Sequence, residues 1–308
     1  MGDLGTRVNA LAALKLATKY VENGSMLALG SPARFFPYVR KIGSQGDVVS
    51  IFSVFENFYL GFSARTGDLN ADGASEVVVG AGRGGGPQVR IFDETGDLTG
   101  QFFAYDSGFR GGVELALGDT DGNGSQEIIT APGRGGGPHI LVYEDRGEIR
   151  GNFMAHDKDF RGGVSIAAGE VNQDGDDEII VALVENGELY IKIFRRNGEL
   201  INSFSIEQQV KGKLLIEAMD LDADAQEEIV IGFREGGKLH LMAFDVQGEV
   251  VAEYGPEPAD SLFDMQSYFD YLNAETMLMI CTRQDYVLEL KYLDNDFDLI
   301  KTSKIILE

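Results

Sequence analysis

Apolar and polar positions fall into short runs that repeat in sets of four. VELALG at 113–118, EIITAP at 127–132, HILVYE at 139–144 and EIRGNFMA at 148–155 are each too short for a stable helix. They are rich in β-branched residues or alternate with period two, which is the signature of strands. Turn-forming segments separate them, among them RGGGP at 134–138 and DRG at 145–147. The pattern predicts a four-stranded antiparallel meander.

The same text recurs on both sides of this unit. Phe109 to Asp157 matches Gly67 to Asp106 upstream and the segment that begins at Phe160 downstream. An acidic segment opens each copy at Asp68, Asp119, Glu170 and Asp220, at spacings of 51, 51 and 50 residues. Extended outward, this register divides the chain into units at 7–57, 58–108, 109–159, 160–210, 211–258 and 259–308. Four-stranded sheets at a period of about 40 to 50 residues predict a β-propeller, because each blade buries its faces only against its neighbours. The expected fold is all-β, one domain of six blades of four antiparallel strands, or else part of a seven- or eight-bladed ring. RVNALAALKLATKYV at 7–21 has helical propensity. Its LAALKLAT falls where VELALGDT falls in the third unit, so it is assigned as strand.

Between the first and second strands lie the acidic segments. Oxygen-bearing side chains stand at positions one, three, five and nine of each: Asp68, Asn70, Asp72 and Glu76; Asp119, Asp121, Asn123 and Glu127; Glu170, Asn172, Asp174 and Glu178; Asp220, Asp222, Asp224 and Glu228. Alternate side chains on a tight loop converge on one point, and calcium takes six to eight hard oxygen ligands. Glycine at position six permits a sharp turn in three of the four loops, whereas Ala225 replaces it in the last. This is not an EF-hand, because the twelfth residues are Val79, Thr130, Val181 and Ile231. Calcium is therefore the expected metal, ahead of magnesium, which demands stricter octahedral geometry. The outer units offer Thr18, Tyr20 and Glu22, or Tyr268, Asp270 and Leu272, which make poor ligand sets.

Repeats of the form DxNxDGxxE followed by an apolar strand and then GRGGGP, as at Asp68 to Glu76 and Arg83 to Pro87, resemble the FG-GAP (VCBS-like) repeats. Those are related in fold to the integrin alpha-subunit head. The likeness is clear over units two to four and fades in unit five. It implies a propeller with structural calcium, outside the cell, used for adhesion or ligand binding.

Charge narrows the partners. Asp and Glu number 50 against 26 Lys and Arg, for a formal charge of −24, which disfavours nucleic acid and anionic membrane surfaces. No apolar stretch is long enough to span a bilayer, and MGDLGTRVNALAALKLATK shows no secretion signal. Cys281 is the single cysteine, so neither an intrachain disulfide nor a paired-thiol metal site is available. A monomer is expected.

The loops at the other end of the blades carry a repeating array of Arg83, Arg110, Arg134 and Arg161. A guanidinium grips carboxylates bidentately, so a glycan or protein ligand with acidic groups is one reading of this face. The other pairs Arg110 with Asp106 and Arg161 with Asp157 inside the turn. The glycines beside them are read as allowing close packing and positive φ. GAGRGG at 80–85 matches a dinucleotide fingerprint, but a strand follows where a helix is needed. His139, His156 and His240 form no recognisable catalytic motif. The expected function is a non-enzymatic binding, adhesion or structural module. A polysaccharide lyase or hydrolase, with His156 or Tyr105 as base, is the alternative.

Overall fold

The computed structural model describes residues 27–29, 37–42, 48–56, 58, 60–207, 210, 214–222, 224–236, 238–258, 262–270, 275–284, 287–294 and 296–306. Every described regular element is a strand. The first sheet has three: β1 (Leu27–Leu29), β2 (Tyr38–Ile42) and β3 (Val48–Ser53). Five four-stranded sheets follow. They comprise β4 (Phe62–Gly67), β5 (Glu76–Ala81), β6 (Gln88–Phe92) and β7 (Leu98–Phe103); β8 (Val113–Gly118), β9 (Glu127–Pro132), β10 (His139–Tyr143) and β11 (Ile149–Met154); β12 (Ser165–Gly169), β13 (Glu178–Glu185), β14 (Glu188–Phe194) and β15 (Leu200–Ile206); β16 (Leu215–Met219), β17 (Glu228–Glu235), β18 (Lys238–Phe244) and β19 (Val250–Pro258); and β20 (Leu262–Asp270), β21 (Glu275–Gln284), β22 (Val287–Leu293) and β23 (Leu299–Ile306). Each is an antiparallel meander in chain order.

The expected six equal blades are thus five four-stranded sheets and one of three. LAALKLAT, expected as the missing strand, lies outside the described residues. The sheets nonetheless form a ring: β1 lies against both β4 and β20. Arg65 of β4 also pairs with Asp264 of β20 at 3.2 Å, joining residues 199 positions apart.

Burial grades outward along each blade. The second strands β5 and β9 are buried at every position, which is why EVVVGA and EIITAP read as nearly unbroken apolar runs. The fourth strands β7 and β11 are largely exposed. Because side chains alternate across a strand, one second strand feeds two cores. Ile179, Val181 and Leu183 of β13 pack with Ile129, Ala131 and Val142 of the preceding blade. Ile180 and Ala182 pack with Ile216, Ile229 and Ile231 of the following one. The core is therefore a series of layers between blades.

Main-chain hydrogen bonds join neighbouring blades at both ends of the ring. At one end the glycine loops bond the turn that leads into the next blade, with Gly84 N–H donating to Arg110 O at 2.8 Å and Gly135 N–H to Arg161 O at 3.1 Å. The bonds from Gly82 N–H to Gly61 O and from Gly133 N–H to Gly112 O, each at 2.9 Å, extend the pairing of first and second strands within a blade. At the other the acidic loops bond one another: Gln126 N–H donates to Asp68 O, Asp177 N–H to Asp119 O and Glu227 N–H to Glu170 O.

Candidate metal centre

Each acidic loop is folded by its own carboxylates. The first residue accepts backbone N–H groups from the fifth and sixth, as Asp119 does from Asn123 at 3.0 Å and Gly124 at 2.7 Å. The ninth reaches back to the N–H of the second: Glu76 to Leu69, Glu127 to Thr120, Glu178 to Val171 and Glu228 to Leu221, at 2.7 to 3.4 Å. The reach explains why a glutamate stands at that position, buried at the start of the second strand.

Three loops bring three carboxylates together with ligand oxygens within 4.8 Å of one another: Asp119, Asp121 and Glu127; Glu170, Asp174 and Glu178; Asp220, Asp222 and Glu228. In the second of these Asn172 Nδ2 donates to Glu178 at 2.6 Å. Asn123 and Asp224 instead accept backbone N–H groups two residues on, from Ser125 and Gln226. In the first acidic loop Asp68, Asn70 and Asp72 make the same kind of turn, and Asn70 Nδ2 stands 3.5 Å from Glu76. Among the described residues its carboxylates do not close into such a triplet.

The triplets are electrostatically strained without a cation. Burial, followed by the charge on Asp174, pushes Glu178 up to about 7, and burial likewise pushes Glu228 up to about 7. Burial also raises Glu76 and Glu127. Two guanidinium groups from the turn after β14 offset part of this charge, Arg195 on Asp174 at 2.7 Å and Arg196 on Asp121 at 2.6 Å. The other oxygen of Asp121, Oδ1, is buried with no hydrogen-bond partner. A buried carboxylate oxygen without a donor, beside two further carboxylates, suits a hard divalent cation. The donor set therefore fits a metal ion.

Residues at the eighth loop position do work that the spacing alone did not reveal. Asp177 accepts the Asp119 N–H of the preceding blade at 2.8 Å. A side chain at Gly67, Gly118 or Gly169 would collide with the eighth-position residue of the next blade, Gln126, Asp177 or Glu227. These residues line a cavity of about 170 Å³ with Arg65, Glu217 and Gln266, bounded by the first strands of all five four-stranded sheets. Burial, then the neighbouring carboxylates, pushes Asp177 up to about 6 and Glu227 up to about 8.

The sign of the resulting pH dependence is definite. Asp177, Glu178, Glu227 and Glu228 titrate near 4 in the unfolded chain and are pushed up to between about 6 and about 8 in the metal-free fold, so between about pH 4 and 8 these groups hold more protons in the folded form. Stability of chelator-treated protein should therefore fall as pH rises from 5.5 to 8, measured as the urea midpoint. Bound metal favours the ionised carboxylates and should flatten that trend. A midpoint that rises with pH in chelator would contradict the assignment.

Ala225 has φ of +69°, where the equivalent Gly73, Gly124 and Gly175 lie at +82° to +96°. A left-handed residue with a Cβ costs about 1 kcal/mol or more. Ala225→Gly should raise stability by about 1 kcal/mol in a chemical denaturation series, and a neutral or negative change would show that the loop had already relaxed.

Sequence comparison adds to this geometry. Over 111 residues, 33% of the chain, the sequence is 30% identical to integrin alpha-PS2 of Drosophila melanogaster. The fold is a β-propeller, and about a third of the chain is similar in sequence to an integrin alpha subunit. The match spans 7% of the integrin's length. No protein-family model matches the chain. Among solved structures the propeller is similar to AofleA from Arthrobotrys oligospora, at TM-score 0.57 and 10% identity over 92% of this chain and 88% of that one. It is also similar to TolB from Acinetobacter baumannii, at TM-score 0.55 and 13% identity over 97% and 69%. At these identities the likeness is one of fold.

At the opposite end of the propeller the predicted arginine pairs are absent. Arg110 Nη1 donates to the carbonyls of Ser107 and Phe109, and Arg161 Nη1 to those of Lys158 and Phe160. Asp106 and Asp157 instead accept the N–H groups of Gly108 and Asp159. The turns are braced by main-chain acceptors, which sequence does not display. Arg83 and Arg134 sit in the glycine loops, each bridged to the glycine two residues on.

Proposed function

We propose that this chain is a calcium-binding propeller of six FG-GAP-type blades, acting outside the cell as a monomeric, non-enzymatic binding, adhesion or structural module. The observation that carries the metal assignment is the buried, donorless Asp121 Oδ1 within a carboxylate triplet that recurs in the next two loops. Oxygen-only donors and a flexible loop favour calcium over magnesium. Sites on exposed loops with modest affinity, about 10⁻⁴ M, fill at the millimolar calcium found outside cells. The integrin similarity supports the same location. Among the described residues no helix is long and apolar enough to cross a membrane.

Both candidate bases are engaged in ways that favour a non-enzymatic role. His156 has Glu185 at 3.1 Å on one ring nitrogen and Lys192 at 2.9 Å on the other. Burial pushes the Tyr105 phenol well above its usual range, and its hydroxyl donates to His139 O. Calorimetric titration of chelator-stripped protein with calcium tests the proposal. Three sites per chain are expected, with Asp121→Asn removing one of them. No bound calcium and no heat would overturn it.

A further inference from the structure

We propose that the cavity between the three-stranded sheet and the β4–β7 blade, at the end bearing the glycine loops, binds a uronate unit of an acidic polysaccharide. This rests on the reading of that end as the binding face. The cavity has a volume of about 580 Å³, within the range of small-ligand sites. Its wall combines Arg90, Arg110, Gln88 and Ser107 with the rings of Phe55, Phe58 and Phe103, and Glu56 stands at the exposed rim.

Arg90 is the deciding group. Its Nη1 donates to Val54 O at 2.6 Å, and its guanidinium lies 4.8 Å from the centre of the Phe55 ring. Its Nε is buried with no acceptor. A buried N–H of a charged group without a partner is costly, and a ligand oxygen would relieve it. In the next blade Leu141 replaces Arg90 and lies in the core, and in the blade after that Lys192 stands at the same position and donates to Ala155 O, so the repeat itself does not fix an arginine here. Arg110 uses only Nη1 on its own turn, which leaves its other nitrogens available to the same ligand. Two guanidinium groups on one cavity select a carboxylate.

The remaining wall selects a sugar over an acidic side chain. Phe103 is 55% exposed, although it contacts the position a Cβ would take at Gly86, and offers an apolar face to the C–H surface of a pyranose. Gln88 commits Nε2 to Gln101, leaving its carbonyl oxygen to accept from a hydroxyl. A peptide carboxylate on a flexible stem would use the arginines but not these groups.

The test is calorimetric titration of the full chain with trigalacturonate, its methyl ester and triglutamate, each at low and high salt. Trigalacturonate should bind, more weakly at high salt, while the ester and the peptide should not. Arg90→Gln and Phe103→Ala should each weaken binding by about tenfold or more, and Phe103→Ala, at an exposed position, should leave the melting temperature unchanged. Equal binding of the ester, stronger binding of triglutamate, no binding of trigalacturonate, or insensitivity to both variants would overturn the proposal. Calcium content measured on the same samples separates the two readings: a chain that retains its calcium but ignores trigalacturonate sinks the cavity assignment alone.

Discussion

Excess chelator should lower the melting temperature of this protein by about 6 °C, and calcium, but not magnesium, should restore it. An ion that binds only the folded form stabilises it by RT ln(1 + [L]/Kd), so 1 mM calcium on a site of roughly 10⁻⁴ M contributes about 1.4 kcal/mol. Three triplets give about 4 kcal/mol, and the unfolding entropy expected of a chain this long converts that to roughly 6 °C. The structure supplies the reason for the size of the effect. Without a cation, each triplet holds carboxylates together around a buried glutamate, and adjacent loops are bonded from blade to blade. Loss of the ion should therefore loosen that whole end of the ring. Asp119→Ala should remove about a third of the calcium effect. A melt that chelator leaves unchanged would reduce the acidic loops to solvated turns.

Gly133→Ala should destabilise the fold by about 3 kcal/mol or more, even though alanine is the smallest possible change. A Cβ at Gly133 would lie 2.3 Å from Gly111 O and 3.0 Å from Gly111 C. Both obstructing atoms are main chain, so no side chain can rotate away. Relief requires lifting the glycine loop off the interblade turn, which strains or breaks the Gly133 N–H bond to Gly112 O. Gly82→Ala repeats the test one blade earlier, where the Cβ would lie 2.3 Å from Gly61 O. Gly135→Ala is the internal control. Nothing lies within 4 Å of its Cβ, and its φ of +99° exacts only the conformational cost, about 1 kcal/mol. Urea midpoints of the variants measure the difference. If Gly133→Ala costs no more than Gly135→Ala, backbone proximity is not what selects glycine there.

Several features of the candidate site were legible because they are local. All the oxygen side chains of one acidic loop lie within nine residues, and the turn that gathers them is built from their own hydrogen bonds to nearby N–H groups. Repetition then set those loops apart from ordinary acidic turns. What escaped notice depends on distant partners. Asp177 acts on a residue 58 positions earlier, and Arg196 reaches Asp121 across 75. Arg110 was misread because the choice between Asp106 and a carbonyl is made by turn geometry, and every residue carries a carbonyl. The closure of the Asp119, Glu170 and Asp220 loops into carboxylate triplets, but not of the Asp68 loop, likewise depends on side-chain placement.

The amino-acid pattern by itself determined strands, their grouping in fours and the position of the acidic loops, because strand period, turn chemistry and a repeat near 51 residues are properties of neighbouring residues. Only the tertiary structure decided which blade meets which, how Arg65 and Asp264 join the ends of the ring, and where Arg90 is left without an acceptor. Those outcomes are set by contacts between blades, where burial removes water as a competing partner and makes each hydrogen bond, charge and missing Cβ count.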